Sequence, residues 1–189
     1  MGRLFWFGPR YAHGMPKAMR PRPGPKAGPK TRRPGLPPDV VSELRHMSRT
    51  GKADMAMARL ERAVVLLDRG DAPGAAAEAA KAKELAPRAP GVREILGLAL
   101  YQLERFSEAL SEMQAYRRMS GRADQNHIIA DCLRSLGRPD RAVPLAEEAL
   151  ASKGVPLAAK AEAVIVASSA LADQGKFDQA LGMLRRIRT

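Results

Sequence analysis

Apolar and small residues between positions 91 and 118 recur at intervals of three and four, which is the spacing of an amphipathic α-helix. The pattern predicts two short helices, residues 91–103 and 106–118, joined by a tight turn. Gly97 and Ala109 would let the two backbones approach closely. Four larger side chains would fill the seam between the helices: Leu96, Leu100, Leu110 and Met113. Because one helical hairpin cannot bury its own apolar face, we expect neighbouring segments with the same pattern.

The same pattern recurs along the chain at a nearly constant interval. Small residues stand at Ala75, Ala109, Ala142 and Ala180, which are 34, 33 and 38 residues apart. A predicted turn precedes each of them, at 70–72, 104–106, 137–139 and 175–177. A period near 34 residues with two helices in each unit is typical of a helical repeat array. We therefore predict an all-α fold of four hairpin units, at about residues 54–88, 90–121, 123–154 and 157–188.

At these positions the chain resembles the tetratricopeptide repeat (TPR) family. The second unit carries the family's signature residues, or close substitutes, at six positions: Leu96, Gly97, Leu100, Phe106, Ala109 and Tyr116. Pro87 closes the first unit where the family has a proline, and the resemblance extends over residues 53–187. It implies a short right-handed superhelix, an α-solenoid, in which the first helices of successive hairpins line a concave groove.

The resemblance also implies which side chains face that groove. From the first three units these are Leu60, Val64, Leu67, Glu94, Leu98, Tyr101, His127, Asp131 and Arg134. The fourth unit adds Ile165, Ser169 and Asp173. An apolar half beside a polar half suits an extended peptide or an amphipathic helix of a protein partner. Core packing is the alternative for each aliphatic residue. Tyr101 is the favoured anchor, because it is rigid and has a polar end.

Charge is unevenly placed along the chain, whose formal net charge is +12. Residues 1–38 hold nine Lys or Arg, no acidic residue, nine of the fifteen prolines and six of the sixteen glycines. This composition predicts a disordered basic tail. The basic residues that would contact nucleic acid are Arg20, Arg22, Lys26, Lys30, Arg32 and Arg33. A solvated tail without a binding role is the alternative, because charge alone carries no sequence specificity.

The two ends of the repeat array are predicted to differ. We expect Asp39 to be the N-cap of a short capping helix within residues 39–51, which would cover the open edge of the first repeat. The repeat domain would then occupy residues 52–189. The last helix presents an apolar stripe at Phe177, Leu181, Leu184 and Ile187, and no polar capping helix follows it. We expect this edge to be open to a partner, to a second copy, or to the rest of a longer protein.

Sequence motifs for catalysis are missing. The chain has no P-loop, no Gly-x-Gly-x-x-Gly, no His-Glu-x-x-His, no Gly-x-Ser-x-Gly and no Cys-x-x-Cys. The nearest group, His127, Asp131 and Cys132 on one predicted helix, lacks the further ligand that a metal site needs. We therefore predict no enzymatic activity, no metal and no cofactor. A single cysteine fits a cytoplasmic location, and no apolar run is long enough to span a membrane.

Two functional hypotheses follow from these observations. The first is a non-catalytic scaffold that binds a peptide or helix of a partner protein in the groove of a TPR array. The second is a nucleic-acid- or ribosome-associated protein that binds through its basic N-terminal arm. Deletion of residues 1–38 and the dependence of binding on salt would separate them, because only the second activity needs the arm.

Overall fold

A computed structural model describes residues 35–185 of the chain, and this part is built from α-helices. They are α1 (Pro38–Met47), α2 (Ala53–Asp68), α3 (Ala72–Leu85), α4 (Pro90–Gln102), α5 (Phe106–Ser120), α6 (Asn126–Ser135), α7 (Pro139–Ala151), α8 (Leu157–Asp173) and α9 (Phe177–Leu184). None of these helices between residues 35 and 185 is long and apolar enough to cross a membrane.

Helices α2 to α9 form four antiparallel hairpins in chain order, α2–α3, α4–α5, α6–α7 and α8–α9. The second helix of each hairpin also packs against the first helix of the next, so the hairpins stack into one array. Two of the three successive pairs of first helices pack against each other, α2 with α4 and α6 with α8. Within residues 35–185, no comparable contact joins α3 to α5 or α5 to α7. The first helices therefore lie on the inner, more crowded side, and the predicted all-α solenoid is confirmed.

The turn inside each hairpin repeats one backbone conformation. Gly70, Glu104, Gly137 and Gly175 occupy the left-handed region, with φ of 80°, 59°, 73° and 74°. In every case the amide of this residue donates to the carbonyl three residues earlier, and the next amide donates to the carbonyl five residues before it. Glycine adopts this conformation without steric cost, whereas Glu104 costs about 1 kcal/mol. The repeat is thus visible in the backbone as well as in the side-chain pattern.

Small residues hold the helices of each hairpin close together. Ala75, Ala109 and Ala142 are fully buried, and Ala180 in the last unit is nearly so. At Gly97 a Cβ atom would lie 2.9 Å from Cγ of Met113, which shows how closely α4 approaches α5. The four predicted seam side chains, which include Met113, are buried as well.

Helix α1 begins differently from the prediction. Pro37 is the N-cap residue and Pro38 is in the first turn, where the missing amide and fixed φ of proline are favourable. The Asp39 carboxylate accepts a hydrogen bond from the adjacent amide of Val40 at 3.0 Å. The prediction that Asp39 is the N-cap is therefore wrong, because the two prolines set the helix start two residues earlier.

Helix α1 spans the first two repeats. It contacts both α2 and α4, and its Val40 and Leu44 side chains are fully buried. The Glu43 carboxylate accepts a hydrogen bond from the amide of Gly91 at 3.0 Å, at the N-terminus of α4. Helix α1 is thus anchored beside the start of the second unit, as well as against the first.

The C-terminal edge of the array is open within the described residues. The side chains of Phe177, Leu181 and Leu184 on α9 are 65%, 56% and 42% exposed. The fourth residue of the predicted stripe, Ile187, lies outside the described residues. So do the six basic residues predicted to contact nucleic acid, Arg20, Arg22, Lys26, Lys30, Arg32 and Arg33.

Candidate partner-binding face

A polar network joins the first helices of the second, third and fourth units. We call the surface that carries it the inner face, defined by Glu94, Tyr101, Asp131, Arg134, Glu162, Ile165, Ser169 and Asp173 on α4, α6 and α8. The Tyr101 hydroxyl donates to Oδ2 of Asp131. Nε of Arg134 donates to Oδ1 of Asp131 at 2.9 Å, and its Nη1 donates to Oδ2 of Asp173 at 3.2 Å. The network therefore connects three helices that are distant in sequence.

Tyr101 is held in place from two sides. Its ring packs edge-to-face against Phe106, with ring centroids 5.9 Å apart, and its hydroxyl bonds to Asp131 on the next unit. The residue is only 8% exposed. Its hydroxyl is therefore already hydrogen-bonded within the protein. A partner could contact only the small exposed part of the ring.

A second interhelical contact lies near the start of α6. Nε2 of Gln125, which is just before α6, donates to Oε1 of Glu94 on α4 at 2.8 Å, and both residues are almost fully buried. A polar group as deeply buried as the Glu94 carboxyl needs such a hydrogen bond, since burial without one is costly. Gln125 therefore helps to fix α4 against α6.

His127 lies one helical turn before Asp131 and is 3% exposed. Within residues 35–185, the backbone of Asp124 lies near the ring, although the contact falls short of hydrogen-bond geometry. Burial lowers the pKa of His127 to about 4, although the carboxylate of Asp124, its backbone and the carboxylate of Asp131 favour the protonated ring. The ring is therefore neutral at physiological pH, beside the acidic centre of the inner face.

Glu162 on α8 lies near Asp131 across the interface between α6 and α8. Burial raises the pKa of Glu162, and the negative charge of Asp131 raises it further. Both effects disfavour the charged form of the Glu162 carboxyl group. The positive charge of Arg134 offsets the negative charge of Asp131, to which its Nε donates a hydrogen bond at 2.9 Å.

The accessible part of the inner face is on α8. Glu162, Ile165, Ser169 and Asp173 follow one another at intervals of three and four, so they share one stripe of this helix. Ile165 is 47% exposed in the middle of the stripe, between partly exposed polar residues. An exposed aliphatic side chain among polar neighbours is a suitable contact point for another protein.

The predicted groove residues fall into two groups. Glu94, Tyr101, His127, Asp131 and Arg134 lie in or beside the polar network. Leu60, Val64, Leu67 and Leu98, in contrast, are buried in the hydrophobic core. The expected open apolar half is therefore absent from the described residues, because packing within the array covers these four side chains.

Sequence reasoning missed Gln125 and Glu162. Gln125 precedes the helix, so helical periodicity could not assign it to a face. Glu162 belongs to the same stripe as Ile165 and Asp173, and its spacing from them was the signal that could have found it.

The group formed by His127, Asp131 and Cys132 does not form a metal site. Cys132 is buried. Among residues 35–185, no three His, Cys, Asp or Glu side chains are arranged to hold a metal ion. The inner face is thus a surface of hydrogen-bonded polar side chains.

The predicted resemblance is confirmed in the C-terminal third of the chain. Residues 129–188 match the family model described as tetratricopeptide repeat, and this range covers α6 from Ile129 onward together with α7, α8 and α9. No curated protein is similar to the chain in sequence.

Two solved structures share the fold. The structure of MamA MSR-1 superposes with a TM-score of 0.62 and 16% sequence identity, over 78% of this chain and 83% of that one. MamA AMB-1 gives a TM-score of 0.59 at 16% identity, over 78% of this chain and 79% of that one. The chain is similar to both in its helical repeat fold, and at this identity the likeness is one of fold alone.

Proposed function

We propose that the protein is a non-catalytic scaffold that binds a peptide or helix of a partner protein along the inner face. The observation that carries the proposal is the stripe on α8, where Ile165 is 47% exposed between polar side chains. Helical repeat arrays present extended surfaces of this kind to other proteins. The partner would contact Ile165 and Ser169, and its polar groups would meet Arg134 and Asp173.

The buried residues of the network have a supporting role in this proposal. The bonds from Tyr101 and Arg134 to Asp131 fix α4 against α6, and the bond from Arg134 to Asp173 fixes α6 against α8. A surface with fixed side chains loses less conformational entropy on binding than a mobile one. The predicted contacts of Leu60, Val64, Leu67 and Leu98 with a partner have no part in this proposal, because these side chains are buried in the core.

Substitution of Ile165 tests the proposal. We expect Ile165→Asp to abolish capture of the partner from cell lysate, because it places a charge where an apolar contact is needed. Leu157→Asp is the matched control, since Leu157 is an 85% exposed aliphatic residue at the start of the same helix. A protein captured by the wild type and by L157D, and lost with I165D, should then be purified and its affinity measured by calorimetry.

Two results would contradict the proposal. One is equal binding of the purified partner to the wild type and to I165D. The other is equal loss of binding in I165D and L157D, which would place the contact outside the inner face. Circular dichroism of each variant checks that the fold is retained, as expected for exposed positions.

The hypothesis of nucleic-acid binding stays a prediction. Its six basic residues lie outside the described part of the chain, and the inner face is acidic, which does not suit a phosphate backbone. The predicted cytoplasmic location also stays a prediction.

A further inference from the structure

Ile165 occupies a position that is buried in every other unit. Each first helix carries a small residue twelve positions before the recurring alanine of its unit: Ala63, Gly97, Ala130 and Ser168. Three positions before that small residue stand Leu60, Glu94, His127 and Ile165. The first three of these are almost fully buried, whereas Ile165 is 47% exposed. The exposure of Ile165 therefore comes from the place of the fourth unit in the array, since the position itself is a buried one in the repeat.

Two leucines of α9 are exposed in the same way. Leu184 stands four positions after the recurring alanine, and its equivalents in the earlier units are all fully buried: Ala79, Met113 and Ala146. Leu181 stands one position after that alanine, and its equivalents are buried or half-buried: Ala76, Leu110 and Val143. Core positions of the repeat are thus open on α9, which within residues 35–185 has no following unit to cover it.

In the earlier units, the first helix of the next unit covers both helices of the hairpin. Helix α4 packs against α3, α6 against α5 and α8 against α7. Asp124, just before α6, accepts a hydrogen bond from the Tyr116 hydroxyl of α5 at 2.8 Å. The next residue, Gln125, donates to Glu94 of α4 at 2.8 Å. A helix in the equivalent place beside the fourth unit would lie across α8 and α9, over a surface that we call the end face: Ile165, Leu181 and Leu184.

The opposite end of the array does not fit the end face. On α2, which has no preceding hairpin in the described residues, Glu61 and Arg62 are exposed. The equivalent pairs in the later first helices are apolar: Ile95 and Leu96, Ile128 and Ile129, Val166 and Ala167. A second copy that stacked its α2 on the end face would bury both charges against leucine side chains, which is costly. The end face is therefore suited to a helix of another protein.

The later first helices show what such a helix needs. Each has a β-branched aliphatic residue followed four positions later by a small one: Ile95 and Ala99, Ile128 and Cys132, Val166 and Ala170. Residues four positions apart share a face of a helix, and this is the side that α2 leaves exposed at Glu61. The small residue is fully buried in all three helices. Its size therefore sets how closely the helix approaches the unit before it.

We propose that the end face binds one amphipathic helix of another protein, in the place that the first helix of a fifth unit would take. The helix contacts Leu181 and Leu184 of α9 together with Ile165 of α8. It presents a β-branched aliphatic residue and, one turn later, a small residue. The inference rests on the proposed function, because it includes the contact at Ile165, and it adds α9 to the binding surface.

Helix α6 is the nearest available model of the ligand. It packs against α5, and α5 resembles α9 more than α3 and α7 do. The two helices have identical side chains at two equivalent positions: Phe106 and Phe177, Leu110 and Leu181. The probe is therefore a synthetic peptide of residues 122–136 with Cys132→Ala, which keeps a small residue and prevents oxidation. A hydrocarbon link between positions 130 and 134, on the side opposite Ile128, keeps the short peptide helical.

Fluorescence anisotropy of the labelled peptide with the full chain tests the contact. We expect saturable binding to the wild type and at least tenfold weaker binding to Leu181→Asp and Ile165→Asp, because each places a charge where an apolar contact is needed. Leu157→Asp should leave the affinity unchanged, since Leu157 is an exposed aliphatic residue outside the end face. A peptide with Ile128→Asp should also bind at least tenfold more weakly. Absence of saturable binding, or equal binding to the wild type and L181D, would overturn the proposal.

Further outcomes separate this inference from the proposed function. A partner that is lost with I165D but binds equally to the wild type and L181D would retain the proposed function and overturn the inference, since it would not reach α9. Saturating peptide should suppress any self-association of the chain through α9, because a second copy would use the same leucines. Self-association without binding of the peptide would identify a second copy as the occupant and would overturn the inference. Circular dichroism checks that each variant retains the fold, as expected for exposed positions.

Discussion

Helices α4 and α9 have similar apolar sequences but opposite environments. In α4, eleven of thirteen residues are buried, and the helix contacts α1, α2, α3 and α5. In α9, only Ala180 and Met183 of its eight residues are buried, and the helix packs against α8. The difference comes from position in the array. A leucine in a repeat protein contributes to stability in proportion to the neighbours that cover it, at about 25 cal/mol per Å² of buried apolar surface.

The largest expected difference is in the free energy of unfolding, when a buried aliphatic residue of α4 and an exposed one of α9 are each replaced by alanine. Ile95→Ala should lower the free energy of unfolding by about 2–5 kcal/mol, because Ile95 is fully buried and its loss leaves a cavity. Leu181→Ala should change it by less than about 0.5 kcal/mol, because Leu181 is 56% exposed. Urea denaturation followed by circular dichroism measures both values. A comparable loss in both variants would show that α9 is covered in solution.

Because His127 on α6 is buried, we expect the stability of the folded protein to depend on pH. The pKa of His127 is about 4 in the folded protein, against an ordinary value of 6.5. Between these values the unfolded chain binds the additional proton, so stability rises with pH and falls on acidification from about 6.5 to 4. The total loss is on the order of 3 kcal/mol. Urea denaturation across this range measures it.

His127→Asn should reduce that slope, and His46→Gln should keep it, because the His46 side chain is exposed. The variants must be compared with the wild type at each pH, because the raised pKa of Glu162 makes stability fall as the pH rises, which is opposite to the effect of His127. An unchanged slope in H127N would show that His127 is accessible to water and that the interior of the array is less closed than described.

Replacing glycine by alanine should change the stability by a smaller amount, with opposite sign in α9 and α4. Gly182→Ala in α9 should stabilise the protein by about 0.5–1 kcal/mol, because nothing lies within 4 Å of the added Cβ and alanine favours the helix. Gly97→Ala in α4 should destabilise it by about 1 kcal/mol, since the new Cβ meets Met113 at 2.9 Å. Thermal unfolding measures both. Stabilisation in both variants would mean that Met113 moves aside freely.

The smallest effect on unfolding is expected from Leu181→Asp, although this variant tests whether α9 is a contact surface. Self-association through Phe177, Leu181 and Leu184 is a prediction from their exposure. We expect the wild type to show a sedimentation coefficient that rises with concentration, and L181D to sediment as a monomer. A wild type that remains monomeric at all concentrations would contradict self-association. The side chains of α9 would then be exposed in solution, in contrast to those of α4.

The repeat architecture could be predicted because its signals are local. Spacings of three and four fix which residues of a helix share a face, and the recurring alanines mark the places where two helices touch. The predicted units begin at about residues 54, 90, 123 and 157, and the first helices of the four hairpins begin at Ala53, Pro90, Asn126 and Leu157. Even the turn at Glu104, which lacks glycine, was placed by the period and by the turns of the other units.

The inner face could be predicted only in part. Asp131, Arg134 and Asp173 were assigned to it through the resemblance to the TPR family, which implies that the first helix of each unit faces the groove. The bond from Tyr101 to Asp131 and the bond from Gln125 to Glu94 depend on how far one unit is rotated against the next. The spacing of residues along the chain therefore does not show which side chains of neighbouring units come within hydrogen-bond distance.

The helices, their pairing and the period can be read from the amino-acid sequence, because they follow from short-range propensity and periodicity. Which apolar residues remain exposed depends instead on how the units pack. Leu60 and Leu98 became core, while Ile165 and Leu181 stayed accessible, although all four have the same kind of side chain. The physical reason is that burial depends on the curvature of the array and on the number of packed neighbours, both of which arise when the units stack.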